Sequence, residues 1–285
     1  MSRKQIAQDT LRYMEQGYYA INGQKIEFSN LQKYSEDNSI LITPERGVEL
    51  VRGCEPPAEG KRAEQRVTRE ATVKTILDFA NRGASGVGLL NFASAKNPGG
   101  GFLNGAMAQE ESLAASSGLY RTQLRNEEYY LANRACNTMM YTDYAIYSPN
   151  VVFFRDERFV LLEQPVIASV LTLPAVNYGQ VLLKGEDSNE AKRVMKDRMR
   201  LALAIFADRG DKYLILGAYG CGVFRNHPVE VAGWWKELLE DDGYSKLFDE
   251  IVFAVLDNTK GGACIRAFED AFGRVSFSRA SCYRI

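Results

Sequence analysis

Three consecutive glycines, Gly99-Gly100-Gly101, are followed after seven residues by Gln109-Glu110-Glu111. Glycine has no Cβ, so a run of three lets main-chain N–H groups approach a ligand through backbone conformations closed to other residues. An amide and two carboxylates just beyond it can hydrogen-bond sugar hydroxyls and supply a proton, the two needs of a glycosyl-transfer site. Adjacent glutamates on a helix point about 100° apart, so they cannot oppose each other across one bond as the carboxylates of a standard glycosidase do. One of them must do the proton work. The plain alternative is a pair of solvated charges at a helix start, where the dipole favours acids; the neighbouring glycine run weighs against it.

A second glycine-rich stretch, Gly217-Ala-Tyr-Gly-Cys-Gly-Val-Phe-Arg-Asn226, precedes Pro228 at a predicted helix start. Free N–H groups and the positive dipole end are expected to face this loop, which suits a diphosphate. Without context, Gly217, Gly220 and Gly222 merely turn the chain and Phe224 packs in a core. Neither loop is a nucleotide motif of the standard kinds. No Gly-Lys-Ser/Thr follows for a P-loop, and Gly220-Cys-Gly222-Val-Phe-Arg225 lacks the last glycine of G-x-G-x-x-G, which disfavours a kinase or a Rossmann dehydrogenase. The single histidine, His227, reads as a surface or capping residue, and carboxylates become the proton carriers by elimination. The pairs Tyr18-Tyr19, Tyr129-Tyr130 and Trp234-Trp235 could stack on a base, but packing explains aromatic pairs more often.

These residues need elements to position them. Apolar spacing predicts a helix over 3–16, then a hairpin, Tyr19–Ile21 and Lys25–Phe28, around Asn22-Gly23. A short strand at Ser39–Thr43 would extend that N-terminal piece, and the proline- and charge-rich stretch 44–64 reads as a connector. Beyond it the pattern predicts a helix at 65–81, a buried strand Val87–Phe92 leading into the first glycine loop, and helices over 107–124 and 127–137. Strands follow near 144–147, 151–154, 159–161 and 166–173. A helix begins at Asp187-Ser-Asn-Glu190, which has capping-box spacing. The strand Tyr213–Ala218 leads into the second glycine loop, and a helix over 228–240, a strand over 251–256 and a helix over 262–272 complete the pattern. Helices alternating with buried strands imply an α/β layered domain with a parallel or mixed sheet. Ligands of such sheets bind beyond the carboxyl ends of the strands, so the two glycine loops should converge there.

Composition sets the outer bounds. The 285 residues are 46% hydrophobic and 25% charged, enough for a sizeable core. Lys plus Arg (35) nearly cancel Asp plus Glu (36), so no global positive field draws the chain to nucleic acid or an anionic membrane. No apolar run long enough to span a bilayer and no signal-peptide pattern occur, which predicts a cytoplasmic protein. Five scattered cysteines without a C-x-x-C pair predict reduced thiols rather than a disulfide framework or a zinc site.

The spaced Gly-Gly-Gly and Gln-Glu-Glu, with Asn91–Pro98, Ser116–Tyr120, Pro174–Asn177, Gly217–Asn226 and Val252–Asp257, resemble poly(ADP-ribose) glycohydrolases of the compact bacterial type over roughly residues 65–272. The resemblance implies a macrodomain-like mixed sheet sandwiched between helices, holding ADP-ribose in a cleft. Residues 1–64 are then an N-terminal accessory region that would cap the cleft, at its adenine end, and 65–285 the catalytic domain. Glu111 takes the family's catalytic position and Glu110 the neighbouring one that binds ribose hydroxyls, with Gln109 completing the motif. Gly99, Gly100 and Gly101 belong to the catalytic loop, Gly220, Cys221, Gly222 and Val223 to the loop that wraps the diphosphate, and Phe224 and Asn97 to the terminal ribose. The implied activity is hydrolysis of ribose–ribose O-glycosidic bonds with Glu111 as general acid/base. It needs no metal or cofactor, and its partners are poly(ADP-ribose), ADP-ribose and ADP-ribosylated proteins, with no direct nucleic-acid readout and no membrane. Two alternatives stand beside it, a non-catalytic ADP-ribose-binding macrodomain and a hydrolase of mono-ADP-ribosylated targets.

Overall fold

The computed structural model describes residues 2–273. The chain opens with α1 (Arg3–Gln16), capped by Ser2, and a hairpin of β1 (Tyr18–Ile21) and β2 (Gln24–Glu27). Asn22 and Gly23 both take positive φ there, the geometry that Asn-Gly favours in a tight hairpin. A helix, α2 (Ser29–Asp37), intervenes before β3 (Ile40–Ile42). This strand does not extend the hairpin; it pairs antiparallel with β6 (Ala145–Arg155) at the edge of the main sheet. The expected connector at 44–64 also contains a helix, α3 (Pro44–Gly53), which Thr43 caps and Pro44 starts at the position where a missing N–H costs nothing.

The segment predicted as one helix at 65–81 divides into β4 (Glu64–Thr68) and α4 (Thr72–Asn81). Next come β5 (Val87–Ala93), α5 (Gln109–Ser116), α6 (Leu119–Leu124) and α7 (Glu127–Ala135). The predicted helix over 107–124 breaks after Ser116, where Ser117 bridges to Phe153. The four short strands predicted between 144 and 173 are two long ones, β6 and β7 (Leu161–Pro174), joined antiparallel across bulges. The remainder is α8 (Tyr178–Lys184), α9 (Ser188–Arg209), β8 (Tyr213–Leu216), α10 (Pro228–Lys236), β9 (Glu250–Ala254) and α11 (Ala263–Phe272).

Seven strands form one mixed sheet in the order β3-β6-β7-β5-β8-β9-β4, and the five from β7 to β4 run parallel. Side chains alternate across a strand, and the sheet uses both faces. Leu90, Leu214, Leu216, Ile251 and Phe253 join a core with α9, α10 and α11, while Leu89, Ile215 and Val252 join one with α4, α5 and α6. Each such buried aliphatic side chain contributes about 1.5–3 kcal/mol. The α/β layering expected from the strand pattern, and the macrodomain-like mixed sheet between helices that the resemblance implies, are the fold observed. No helix among the described residues is long and apolar enough to cross a membrane.

The first 64 residues pack directly onto this frame. Tyr19 and Phe28 join Val152 and Phe154 of β6, and Ile6 and Ala7 of α1 join Phe102, Ala114 and Ala115 beside the first glycine loop. Buried Arg155 locks the contact by donating to Thr10 Oγ1 and to the carbonyl of Ala115 at 2.7 Å.

Candidate active site

All five parallel strands end on the same side of the sheet, and the residues that follow them line one cleft of 1210 Å³. Loops after β5 and β8 bring Asn97, Gly100 and Gly101 to the same space as Gly220, Cys221, Gly222, Val223 and Phe224. Gln109, Glu110 and Glu111 enter it from the start of α5. Of the expected site residues only Gly99 stands outside the lining, behind the wall, where its N–H donates to Gln123 Oε1 at 2.9 Å.

The two glutamates have opposite environments. Glu110 is only 3% exposed, and its carboxylate accepts from Ser94 N–H at 2.6 Å, Asn91 Nδ2 at 3.1 Å and Gln123 Nε2 at 2.9 Å. Burial pushes its carboxyl up to about 8, against the pull of those three donors, with the neighbouring Glu111 charge adding to the rise. Glu111 is held by a single hydrogen bond, from Gly101 N–H to its Oε1 at 2.9 Å. Its Oε2 has no partner among the described residues and is free for a substrate. Gln109 clamps the start of α5 to the sheet, accepting from Phe92 N–H and donating to the Leu90 carbonyl, both at 2.8 Å.

The glycine run fits under these acids for a steric reason. Gly100 has φ +58°, and a Cβ there would stand 2.4 Å from Glu111 Oε1 and 3.1 Å from Glu110 Oε2. Only glycine allows the loop to close on the carboxylates.

The second loop is pinned from behind and open in front. Asn226 Nδ2 donates to the carbonyls of Val176 (2.8 Å) and Gly220 (3.0 Å), and Gly179 N–H donates to the Phe224 carbonyl at 2.9 Å. The N–H groups of Gly220, Gly222, Val223 and Phe224 have no acceptor among the described residues. Such a row of unpaired backbone donors is an anion-binding nest. Phe224 rests 6.0 Å from the ring of Tyr141, whose loop is tied down by buried Arg198 through Asp143 (2.8 Å), the Met140 carbonyl (2.8 Å) and the Pro174 carbonyl (2.9 Å). Cys221 borders Cys264 of α11 and donates its Sγ–H to the Tyr219 carbonyl at 3.7 Å; the Cys264 thiol beside it, and then burial, raise Cys221 well above the ordinary thiol range, while the Cys221 thiol lowers Cys264 against the opposing effect of burial.

One expectation fails. The start of α10 does not line the cleft; exposed His227 stands there without a side-chain cap bond. The helix start beside the second loop is that of α11, and Asp257 already accepts from its Cys264 and Ile265 N–H groups at 2.8 and 3.2 Å. The loop's own N–H groups must therefore meet any anion. Tyr129 and Tyr130 are buried in the core, as is Trp235. Cys54, Cys136, Cys221 and Cys264 are free thiols, and Cys282 lies outside the described residues. No three His, Cys, Asp or Glu side chains among the described residues gather as a metal ligand set.

Sequence reasoning missed the residues that hold the site. Asn91 carried a signal, being a polar residue in the apolar run Val87–Ala93. Gln123 and Asn226 carried little, since their partners lie far off or in another turn of the same loop. The far walls at Glu70–Val73 and Asn258–Thr259 come from strand ends that the sequence did not mark, whereas Leu256 and Asp257 belong to a stretch that carried the resemblance without being assigned to the site.

A mixed sheet whose parallel strands deliver two glycine-rich loops and a half-buried, cleft-facing carboxylate to one place defines a macrodomain-like protein with the groups of a glycosidase. The family model for the microbial-type PARG catalytic domain matches residues 7–156. The crystal structure of poly(ADP-ribose) glycohydrolase (PARG) from Thermomonospora curvata superposes with a TM-score of 0.91 at 36% identity, covering 95% of this chain and 99% of that one. That enzyme bound to the inhibitor ADP-HPD gives 0.88 at 36% identity over the same shares. The glycohydrolase from Deinococcus radiodurans in complex with ADP-ribose gives 0.80 at 39% identity, covering 86% of this chain and 98% of that one. No curated protein matches the chain. The chain belongs to the microbial-type poly(ADP-ribose) glycohydrolase family.

Proposed function

We propose that this chain hydrolyses the ribose–ribose O-glycosidic bonds of poly(ADP-ribose) and releases ADP-ribose, with Glu111 as the general acid and base. The observation that carries the reading is the meeting, in one cleft, of Glu111 with its free Oε2 and of the unpaired N–H groups of Gly220, Gly222, Val223 and Phe224. The N–H row takes the diphosphate, which sets the terminal ribose against Phe224 and its anomeric carbon beside Glu111. Protonated Glu111 donates to the departing ribose oxygen, and the carboxylate then draws a proton from the water that attacks the oxocarbenium-like sugar. The bound diphosphate offsets the positive charge developing there, a task that a second carboxylate performs in other glycosidases.

Glu110 has room to accept from or donate to a ribose hydroxyl, since its three protein donors leave part of a carboxyl group's capacity unused. Asn97, Gly100 and Gly101 shape the ribose pocket, Gly99 anchors the loop to Gln123, and Gln109 fixes the start of α5. Residues 1–64 serve as the accessory region and 65–285 as the catalytic domain. The distinction is one of role, since the two share the sheet, and the accessory region reaches the cleft at Arg3, next to Leu103 and Phe159. Polymer attached to ADP-ribosylated proteins is the partner, and a cytoplasmic setting fits the free thiols.

Incubation with labelled poly(ADP-ribose) tests the reading. Chains should shorten with release of ADP-ribose. Chains retained at full length would mark a binding module, and cleavage confined to a mono-ADP-ribosylated protein would mark a hydrolase of single modifications.

A further inference from the structure

The cleft extends past Glu111 on the side away from the Gly220–Phe224 loop. This arm follows α5 toward Ser116 and is walled by Arg3, Leu103, Glu157 and Phe159. Its outer end is built with care. Phe159 holds φ +67°, an unusual conformation for an aromatic residue. The turn that imposes it is fastened by Asp156, whose N–H donates to the Val160 carbonyl at 2.9 Å and whose Oδ1 accepts from Arg158 and Val160 N–H at 2.9 and 2.8 Å. Over the Phe159 ring, 4.1 Å from its centroid, lies the guanidinium of Arg3.

A guanidinium stacked on a ring is fixed in plane, and its donors remain available at the edge. Arg3 has no ion pair among the described residues; on the same wall Glu157 pairs with Arg158 at 3.7 Å and Asp156 Oδ1 is held by the N–H groups of its own turn. The oriented cation is thus left for an anion from outside. Its place beside the chemistry is set by the glycine loop and by α5. Arg3 packs against Gly105, four residues beyond Gly101 through one 3₁₀ turn, Phe102–Asn104. From Glu111 to Ser116, whose Oγ donates to the Asp156 carbonyl of the Phe159 turn, α5 rises about 7.5 Å at about 1.5 Å per residue, comparable to the span of one nucleoside.

In the reaction proposed above, the group that departs from Glu111 is an adenosine ribose, joined through its 5′ oxygen to the next diphosphate of the polymer. We propose that this arm is a leaving-group subsite, in which Arg3, stacked on Phe159, binds the diphosphate of the neighbouring ADP-ribose unit. The inference rests on the glycohydrolase reading and adds a second diphosphate to it. It also gives α1 a task, that of carrying a polymer-selective cation to the cleft.

The test compares two substrates, poly(ADP-ribose) and an ADP-ribosyl aryl glycoside whose neutral phenol leaving group carries no phosphate. For Arg3→Ala the ratio of kcat/KM on polymer to kcat/KM on the aryl glycoside should fall about tenfold from the wild-type ratio. Arg3→Lys, which keeps the charge without the planar fork, should fall between them, and Phe159→Leu should lower the same ratio by releasing the guanidinium. An unchanged ratio in Arg3→Ala, whether both activities fall together or neither does, overturns the subsite while leaving the glycohydrolase reading intact. A wild-type chain that cleaves neither substrate refutes that reading and the subsite with it.

Discussion

Glu110 and Glu111 are neighbours in sequence and opposites in surroundings. One is sealed beneath three donors, and the other is open to the cleft. Burial lifts Glu110 from the ordinary 4.5 to about 8, so between those values the folded chain keeps a proton that the unfolded chain has released. The stability this group contributes is full below pH about 4.5 and is lost as pH rises through about 8. The thermal midpoint of the wild type should therefore decline across that window, and Glu110→Gln should flatten the decline; an unaltered slope in the variant contradicts the assignment. Gly100 gives a second residue-scale prediction. Alanine there meets Glu111 Oε1 at 2.4 Å on a backbone with φ +58°, so stability should drop by about 1–2 kcal/mol. Turnover should fall at least about tenfold as the carboxylate shifts, a change of 1.4 kcal/mol or more in the barrier. Denaturant melts and kcat on polymer check both, and wild-type turnover in Gly100→Ala would refute the fit described. The glycines and the acids were legible in sequence because their types and spacing carry the chemistry. Gln123, which joins Gly99 to Glu110 at 2.9 Å on each side, was not, because its role exists only once α6 has packed against the loop.

At the scale of elements, the cleft depends on loops that are rigid behind and unpaired in front. Asn226 supplies the rigidity for the second loop with two bonds from one amide. Asn226→Ala leaves the Val176 and Gly220 carbonyls without that donor, at a cost of about 1–3 kcal/mol, and should weaken ADP-ribose binding about tenfold while turnover at saturating substrate changes less. Calorimetric titration reads the first effect and kcat the second; wild-type affinity would show that the loop holds its shape without the side chain. Elements with a strong apolar signal, β5, β8, β9 and α9, stood out in the sequence. Others were hidden for identifiable reasons. The strand β4 lies at an edge with Val67 as its one buried side chain, so it showed no alternation, and α3 begins with the same proline that suggested a connector. The bulges that keep β6 and β7 continuous are tertiary features, and local pattern broke each strand into two.

Across the whole molecule, one sheet carries two separate tasks to one place. The strand β5 delivers the first glycine loop, β8 delivers the second, and their direct parallel pairing fixes the distance between the two. Convergence of the loops was legible from the alternating helices and strands. The entry of Arg3 beside the first glycine loop was not, since it depends on how α1 packs against the turn at Phe102–Asn104. The division of labour makes binding and catalysis separable, and the sharpest test of the account is to measure both in Glu111→Gln. Turnover of poly(ADP-ribose) should fall about 10²–10⁴-fold, the usual worth of a general acid and base, while the Kd for ADP-ribose stays within about tenfold of wild type. Near-normal turnover in that variant, or a loss of ADP-ribose binding that matches the loss of turnover, would contradict it.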